Sequence, residues 1–292
     1  MNRTVSIVGA GRAGRAMAKR LRQLGWKIGA VVTRSKGTAL QAVREIGAGK
    51  AYATVESAVF EAGLILLATP DAQVKEVARK LAFEGGKRCR GKIALHLSGA
   101  LDRRALWPLA QRGAHTGSLH PMQTFSGRGL PRLEGVTFTI EGDPAALCSA
   151  RRMVRSMGGV PVEIAGKHKP AYHAAGALVA GHGLGLTEAA VRVLMRIGFS
   201  RPRAQQALLP LIRQMLDNYE EFGPEAAWTG PISRGDFATV AKHRVALRPY
   251  PREVWDAYSA LAFLSAEVVS QKPAATKRNL KRTIKSARGG SN

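Results

Sequence analysis

The amino-acid sequence predicts an α/β fold in two parts, a doubly wound parallel sheet followed by an all-helical domain. Up to residue 164, short apolar runs typical of strands alternate with helical patterns, the order that builds a parallel sheet covered by helices. After Gly166 there are no strand runs, only long helical patterns. We therefore predict an α/β domain over residues 1–165, an all-α domain over 166–271 and a basic, disordered tail over 272–292.

A glycine-rich turn joins the first predicted strand, residues 5–8, to the first helix. Its spacing, Gly9-x-Gly11-x-x-Gly14, is typical of the Rossmann dinucleotide-binding turn. Gly9 permits the tight turn, Gly11 leaves room for a pyrophosphate, and Gly14 lets the helix pack against its strand. The N–H groups at the helix start attract phosphate. We predict a Rossmann-type domain that binds a nicotinamide dinucleotide; an ordinary strand-to-helix turn is the alternative.

The end of the second predicted strand, residues 27–33, indicates which dinucleotide binds. Sites that prefer NAD usually place Asp or Glu here, where the carboxylate bonds the ribose 2′-OH. This chain instead has Thr33, Arg34, Ser35 and Lys36. Because a guanidinium pairs with phosphate through two hydrogen bonds, the pattern favours NADP(H) over NAD(H). A solvated basic loop is the alternative.

Three more predicted strands end in polar or turn residues, at Thr69, at Ser98 and just before His120. Ligands of doubly wound sheets lie beyond the carboxyl ends of the strands, so we expect these residues to face the cofactor. Pro70 and Asp71 are interpreted as stopping the strand and capping the next helix. The predicted cofactor-binding residues are Gly9, Ala10, Gly11, Arg12, Ala13, Gly14, Thr33, Arg34, Ser35, Ala68, Thr69, Pro70, Ser98 and Gly99.

Polar side chains near these strand ends and on the first long helix are the candidates for chemistry. A histidine can carry a proton near neutral pH, and a lysine can hold developing negative charge or a carboxylate. Lys169 and His173 are four residues apart and share a helix face; a histidine bonded within the core is the alternative for His173. The predicted catalytic residues are His120, His173, Lys169 and Ser98.

Three further residues are predicted to bind substrate. Gln123 follows His120 just past a strand end, while Arg234 and Asp236 lie in a turn-rich loop between long helices. Arg234 either binds a substrate carboxylate or pairs with Asp236 to fix the turn. No metal site is predicted.

The chain is strongly basic, with a net charge of +25. The tail over residues 272–292 carries seven basic residues and no acidic one, so most of the excess lies elsewhere. A nucleic-acid partner is one interpretation. We favour a general basic background with sites for anionic ligands, because no nucleic-acid recognition motif accompanies the charge. With two cysteines, no evident signal peptide and no stretch of membrane-spanning length, the sequence predicts a cytoplasmic protein.

Five segments together carry a family resemblance. They are Gly9-x-Gly11-x-x-Gly14, His96-Leu-Ser-Gly-Ala-Leu101, Gly117-Ser-Leu-His-Pro-Met-Gln-Thr-Phe125, Ala171-Tyr-His-Ala-Ala175 and Thr229-Gly-Pro-Ile-Ser-Arg-Gly-Asp236. In these segments the chain resembles bacterial proteins that join a Rossmann-like domain to the domain of unknown function 2520. That group is similar in architecture to pyrroline-5-carboxylate reductase, ketopantoate reductase, 3-hydroxyacid dehydrogenases and prephenate dehydrogenase.

The resemblance implies an NADP-binding domain, a helical domain that forms a homodimer, and a site in the cleft between the two domains. The chain departs from the hydroxyacid dehydrogenases at His173, where they have Asn four residues after the lysine, and from many family members at Gly181, near which they carry Asn. We expect an NADP(H)-dependent oxidoreductase that transfers hydride to or from a small anionic hydroxy acid, keto acid or imine. The alternatives are an NADP-binding sensor without turnover and a nucleic-acid-associated basic protein.

Overall fold

A computed structural model describes residues 3–286 of the 292-residue chain. The chain divides into two compact units, Met1–Gly181 and His182–Asn292. The first contains one eight-stranded sheet with its helices, and in the described part of the second every regular element is a helix. The predicted fold class, a Rossmann-type sheet followed by a helical region, is therefore confirmed.

The first unit follows the strand–helix alternation that the hydrophobic pattern predicts. Its elements are β1 (Thr4–Val8), α1 (Arg12–Gln23), β2 (Lys27–Val32), α2 (Lys36–Ile46), β3 (Lys50–Tyr52), β4 (Leu64–Leu67), α3 (Asp71–Gly85), β5 (Ile93–His96), α4 (Trp107–Ala110), β6 (His115–Pro121), β7 (Thr137–Gly142), α5 (Pro144–Ser156), β8 (Val160–Glu163) and α6 (Lys169–Ala177). Short 3₁₀ turns at Ser57–Glu61, Gly86–Cys89, Arg103–Leu106 and Gly166–His168 join some of them.

The sheet order is β3-β2-β1-β4-β5-β6-β7-β8, and neighbouring strands are parallel except for β6 and β7. Because the chain winds outward in both directions from the junction of β1 and β4, this junction is the topological switch point at which such sheets bind ligands. Strands β1, β4 and β5 are buried along their whole length, with apolar clusters on both faces. Their carboxyl ends therefore project from a well-packed scaffold.

Two local details differ from the sequence predictions. β6 continues to Pro121, so His120 is the penultimate residue of the strand and pairs with Thr139 of β7. Asp71 does not cap α3, because Pro70 takes the N-cap position and Asp71 is the first helical residue. Its carboxylate instead accepts a hydrogen bond from the hydroxyl of Ser98, 2.7 Å away.

The first predicted long helix, residues 171–197, is interrupted. A π-helical turn, Leu178–His182, separates α6 from the next helix and changes the residue spacing there. The second unit then contains α7 (Gly183–Arg196), α8 (Arg201–Ala227, kinked at Gly223), α9 (Phe237–Leu247), α10 (Arg252–Val268) and α11 (Pro273–Ser286). Val240, Ala262, Ala266 and Leu280 form a small core among the last three helices.

The composition of the basic tail predicts disorder, but part of the tail is helical. Residues Pro273–Ser286 form α11, and Leu280 on this helix is fully buried. Ordering this segment costs conformational entropy, and its polar composition suggests that little burial offsets that cost. Burial of the apolar Leu280 side chain provides such an offset. Residues 287–292 of the predicted tail lie outside the described part.

One segment, Gly166–Arg196, is long and apolar enough to cross a membrane by length and composition, because a stretch of 18 residues within it has a mean hydropathy of 1.2. The expectation that no stretch reaches such a length is therefore wrong. It overlooked this segment because isolated polar residues, such as His182, interrupt the apolar run. Length and composition alone are weak evidence, since helices of soluble proteins also pass this test.

Candidate cofactor and catalytic site

The glycine turn after β1 is shaped by close backbone contacts. Gly9 has a φ of +88°, and a Cβ there would lie 2.7 Å from the carbonyl carbon of Ala68 and from the nitrogen of Thr69. A Cβ at Gly14 would lie 2.5 Å from the carbonyl oxygen of Gly9. In contrast, a Cβ at Gly11 would meet nothing within 4 Å among the described residues. Two glycines thus allow tight packing, and the third leaves open space in front of the turn.

The start of α1 offers unsatisfied donors next to that space. Gly11 is the N-cap and has no side chain to bond the first amides, and the first turn contains no acidic residue. The amide of Arg15, bonded to the carbonyl of Gly11 at 2.9 Å, belongs to the first regular helical hydrogen bond. The buried Oγ1 of Thr69 also has no hydrogen-bond partner within the described region. These groups fit the pyrophosphate of a dinucleotide.

At the end of β2, only part of the basic segment is available for a ligand. The hydroxyl of Ser35 caps α2 by accepting from the amide of Thr38 at 3.2 Å. Lys36 donates to the carbonyl of Ala51 at 2.7 Å and lies over the ring of Tyr52. Arg34 is exposed, and within residues 3–286 it forms no hydrogen bond or ion pair. Arg34 is therefore the cation best placed to meet a phosphate at this strand end.

Ser98, at the end of β5, is held from several sides. Its hydroxyl donates to Asp71 and accepts from the amides of Ala100 and Leu101, at 3.2 and 3.0 Å. Its own amide donates to Nδ1 of His96 at 3.2 Å. Because these bonds use the hydroxyl proton and both lone pairs, the predicted catalytic Ser98 acts as an anchor of the loop in this arrangement.

Two histidines converge on the backbone of Gly99. A Cβ at Gly99 would lie 2.4 Å from Cδ2 of His173 and 2.8 Å from Nε2 of His120. The rings of the two histidines meet edge to face, with centroids 5.7 Å apart. Nδ1 of His120 lies 3.0 Å from the hydroxyl of Tyr172. Strand β6 and helix α6 thus bring His120, Tyr172 and His173 together around one glycine.

Burial keeps two histidines of this region, His120 and His96, neutral. Desolvation is the main cause that lowers the pKa of His120 to about 4, and the positive charge of Lys169 lowers it further. The pKa of His96, which is fully buried, is also lowered to about 4, chiefly by desolvation. Burial raises the pKa of the Tyr172 hydroxyl. At neutral pH the imidazoles of His120 and His96 are therefore neutral, and the phenol of Tyr172 is protonated.

Lys169 is buried, and its hydrogen bonds go to two serines and not to these rings. The residue has no exposed surface, and its Nζ donates to the carbonyl of Ser98 at 3.0 Å and to the hydroxyl of Ser118 at 2.9 Å. Burial lowers its pKa to about 8, although the carboxylates of Glu141, Asp71 and Asp102 favour the charged form. The first unit therefore brings the four predicted catalytic residues together, with Ser98 and His120 at adjacent strand ends and Lys169 and His173 on α6.

The predicted substrate residues are placed differently. Gln123 uses its amide within its own loop, donating to the carbonyl of Arg132 at 3.1 Å and accepting from the amide of Thr124 at 2.8 Å. Arg234 and Asp236 belong to the second unit. There Asp236 caps α9 by accepting from the amide of Thr239 at 3.0 Å and has no ion pair with Arg234 in the described part.

Sequence reasoning missed Tyr172. Its only signal is position: it lies three residues after Lys169 and next to His173, on the helix face that the spacing had marked. From sequence alone, a tyrosine with no known partner is interpreted as an ordinary core or surface aromatic residue. Only the contact between its hydroxyl and Nδ1 of His120 shows that Tyr172 belongs to the site.

The sheet order and the glycine turn define a Rossmann-like fold, and two family matches agree. Residues 2–121 match the Rossmann-like domain, and residues 136–264 match the domain of unknown function DUF2520. The chain therefore belongs to the proteins that join these two domains, and the resemblance drawn from the five motifs is confirmed. No curated protein matches the chain significantly in sequence.

Several solved structures share the fold. A protein of Bacteroides fragilis, provisionally named an NADP oxidoreductase, is 20% identical, with a TM-score of 0.73 over 88% of this chain and 95% of its own. A Thermotoga maritima protein is 24% identical, with the same TM-score, over 90% and 98%. A reductive aminase from Aspergillus terreus, solved with NADPH and ethyl-5-oxohexanoate, is 18% identical, with a TM-score of 0.64 over 99% and 96%. At these identities the likeness concerns the fold.

Proposed function

We propose that the protein is an NADP(H)-dependent oxidoreductase that transfers hydride to or from a small substrate with a C=N or C=O group. The observation that carries the proposal is that one sheet edge contains both an open glycine turn, at a helix start with no capping side chain, and a cluster that includes the neutral imidazole of His120. The first suits a dinucleotide phosphate, and the second suits proton transfer beside it.

The residues proposed to hold the cofactor surround the glycine turn and the neighbouring strand ends. The amides of Arg12, Ala13 and Gly14 would bind the pyrophosphate, and Arg34 with Thr33 and Ser35 would bind the 2′-phosphate. Ala68, Thr69 and Pro70 at the adjacent strand end, and Ser98 and Gly99 after β5, would complete the cofactor site. When bound, NADPH supplies a hydride from C4 of its nicotinamide ring. The preference for NADP(H) over NAD(H) rests on Arg34 and the missing acid.

The proton is proposed to come from His120. In the reduction direction, the substrate carbon gains hydride, its π electrons move to nitrogen or oxygen, and that atom takes the proton of Nε2 in His120. The hydroxyl of Tyr172 passes its proton to Nδ1, which lies 3.0 Å away, and regains one from water. This relay fits a neutral imidazole, because a histidine with a lowered pKa is rarely available as a cation at pH 7.

The substrate class is proposed on two grounds. The basic chain suits a small anionic hydroxy or keto acid, and structural neighbours include enzymes named reductive aminase and imine reductase, which suggest an imine. Gln123, Arg234 and Asp236 stay predicted substrate residues. The prediction that the site lies in a cleft between the domains also stays a prediction, as does the cytoplasmic location.

The test follows NADPH oxidation with a panel of keto acids and of ketone–amine mixtures, and NADP reduction with hydroxy acids. His120→Asn is expected to lower turnover by roughly 100-fold or more while leaving NADPH affinity unchanged. A protein that binds NADPH but turns over no member of the panel would instead act as a sensor. Binding to DNA or RNA that weakens steeply with salt would support the nucleic-acid alternative.

The helical unit is proposed to form a homodimer. On α8, Leu211, Met215, Tyr219 and Phe222 recur at helical spacing, and each has between 46 and 65% of its surface exposed. An apolar stripe of this kind is unusual on a monomer, and a second copy offers an identical stripe for a two-fold symmetric contact.

Light scattering of the full chain tests the dimer. Tyr219→Glu is expected to yield monomers, because a carboxylate would be buried without a partner. Gln214→Glu adds the same charge beside the stripe and is expected to leave the dimer intact. A parent protein that is monomeric at micromolar concentration would contradict the proposal.

A further inference from the structure

Lys169 is the most deeply buried charged residue of the site, and its surroundings show what the charge does. Within residues 3–286, its Nζ has no carboxylate close enough for an ion pair. Its two hydrogen bonds instead go to neutral groups, the carbonyl of Ser98 just after β5 and the hydroxyl of Ser118 on β6. A buried ammonium is costly, so a lysine placed here without a paired anion implies a specific task.

The two acceptors fix neighbouring strand ends. Ser98 follows β5, and Ser118 lies on β6, directly opposite His96 and two residues before His120. The hydroxyl of Ser98 is itself bonded to Asp71, so the ammonium of Lys169 binds a residue that has little freedom to move. Lys169 thereby connects the start of α6 to both strands.

The helix that Lys169 begins carries the other two members of the cluster. Tyr172 and His173 follow three and four residues later, on the same side of α6. Because the Gly99 backbone lies so close to both histidine rings, a small shift of α6 would separate Tyr172 from His120 or press His173 onto Gly99.

We infer that Lys169 is a positioning residue that touches neither substrate nor cofactor. It holds α6 against the ends of β5 and β6, so that Tyr172 keeps its contact with Nδ1 of His120 and Nε2 stays beside Gly99. The inference refines the proposed function, because it assigns to Lys169 a role through His120 instead of contact with the reacting atoms. After burial, its charge is the next cause that lowers the pKa of His120.

Several charged and titratable groups affect the pKa of His120, and Lys169 is the one that the inference concerns. Burial contributes most, Lys169 and His173 lower the pKa further, and Asp71 raises it. Loss of the Lys169 charge therefore raises the pKa of His120. The groups that act in turn on Lys169 are Glu141, Asp71 and Asp102.

The experiment compares Lys169→Met with Lys167→Met by NMR of the histidine rings. Lys167 is exposed and lies two residues earlier, so its variant removes the same charge without touching the cluster. In Lys169→Met, the titration midpoint of His120 is expected to move upward by roughly half a pH unit or more, and contacts between the rings of His120 and Tyr172 to weaken. In Lys167→Met, both are expected to match the parent. A Lys169→Met protein with an unchanged midpoint and unchanged contacts would overturn the inference.

A second variant covers the case in which Lys169→Met does not fold. Ser118→Ala removes one of the two hydrogen bonds but keeps the ammonium, so ring contacts are expected to weaken without an upward shift of the His120 midpoint. Unchanged contacts would contradict the positioning role.

Kinetics separate positioning from substrate contact. With an active substrate, Lys169→Met is expected to lower kcat while KM stays within about twofold of the parent, since the residue makes no substrate contact. A large rise in KM at unchanged kcat would overturn the inference. The NMR readouts need neither NADPH nor substrate, so a protein without turnover contradicts the proposed function and leaves the positioning role testable.

Discussion

The glycine turn and the histidine cluster occupy the same edge of one sheet but are built in opposite ways. The turn is open: Gly11 faces free space, α1 starts without a cap, and Arg34 has no partner in the described region. The cluster is closed, since Ser98 and Lys169 have hydrogen bonds on several sides and His96 has no exposed surface.

The two regions are thus arranged differently for ligand binding. An open turn keeps donors unsatisfied until an anion satisfies them, whereas a closed cluster fixes the neutral, protonated or charged state of each group before any ligand arrives. The first region should thus be sensitive to changes in shape and charge at the surface, and the second to changes in buried contacts. Four predictions test that contrast.

The largest effect is expected from Gly9→Ala, because Gly9 lies on the closely packed side of the turn. The substitution combines a strained positive φ with contacts of 2.7 Å to backbone atoms, and we expect the free energy of unfolding to fall by about 2–4 kcal/mol. Gly25→Ala is the matched control, since its φ is +79° but a Cβ there would meet nothing within 4 Å in the described part. It should cost only the strain, about 1 kcal/mol. Urea unfolding measures both, and equal losses would show that close approach contributes nothing.

The open side of the turn is tested by Gly11→Asp. A side chain at this position has room, so the thermal unfolding midpoint should match that of the parent. Its carboxylate would occupy the space in front of α1 and repel a pyrophosphate, and we expect NADPH affinity to fall by roughly 100-fold. Titration of NADPH fluorescence measures the loss. Unchanged affinity would place the dinucleotide elsewhere.

These two regions also differ in how far the sequence predicts them. The spacing of Gly9, Gly11 and Gly14 is local, so strand, turn and helix follow from neighbouring residues, and the fold class follows from the repeated alternation. The cluster joins β5, β6 and α6, which are distant along the chain. Its polar members were found because strand ends mark ligand sites, but their pairing depends on packing that no local pattern contains.

Two of the errors, those at Asp71 and in the basic tail, have the same origin. Asp71 has the residue type of a helix cap, yet the chain places its carboxylate within reach of Ser98, so a long-range hydrogen bond takes the place of the local one. Likewise, α11 has the composition of a disordered tail, but burial of Leu280 against other helices stabilises it. In both cases a tertiary contact outweighs a local preference.

The closed cluster predicts acid sensitivity. The pKa of His96 is about 4 in the folded chain and 6.5 as its ordinary value, so below pH 6.5 the unfolded chain takes up a proton that the folded chain does not. Stability from this residue is therefore complete above pH 6.5 and is lost as the pH falls towards 4, by on the order of 2 kcal/mol.

His96→Gln should reduce this loss when urea unfolding is compared at pH 7 and pH 4.5. His182→Gln is the control, because His182 is exposed; its variant should keep the acid sensitivity of the parent. Equal acid sensitivity in His96→Gln and the parent would show that burial of His96 is not its source.

The smallest effect is expected at the edge of the open region, at Arg34. Its guanidinium has no partner in the described region to lose, so Arg34→Ala should leave stability unchanged and lower NADPH affinity by about tenfold while NADH affinity stays the same. Lys36→Ala is the matched control: Lys36 is equally basic, but its Nζ donates to the carbonyl of Ala51. It should change NADPH affinity by less than about twofold. If both variants weakened NADPH equally, the loss would reflect diffuse positive charge, and a particular contact between Arg34 and the 2′-phosphate would be excluded.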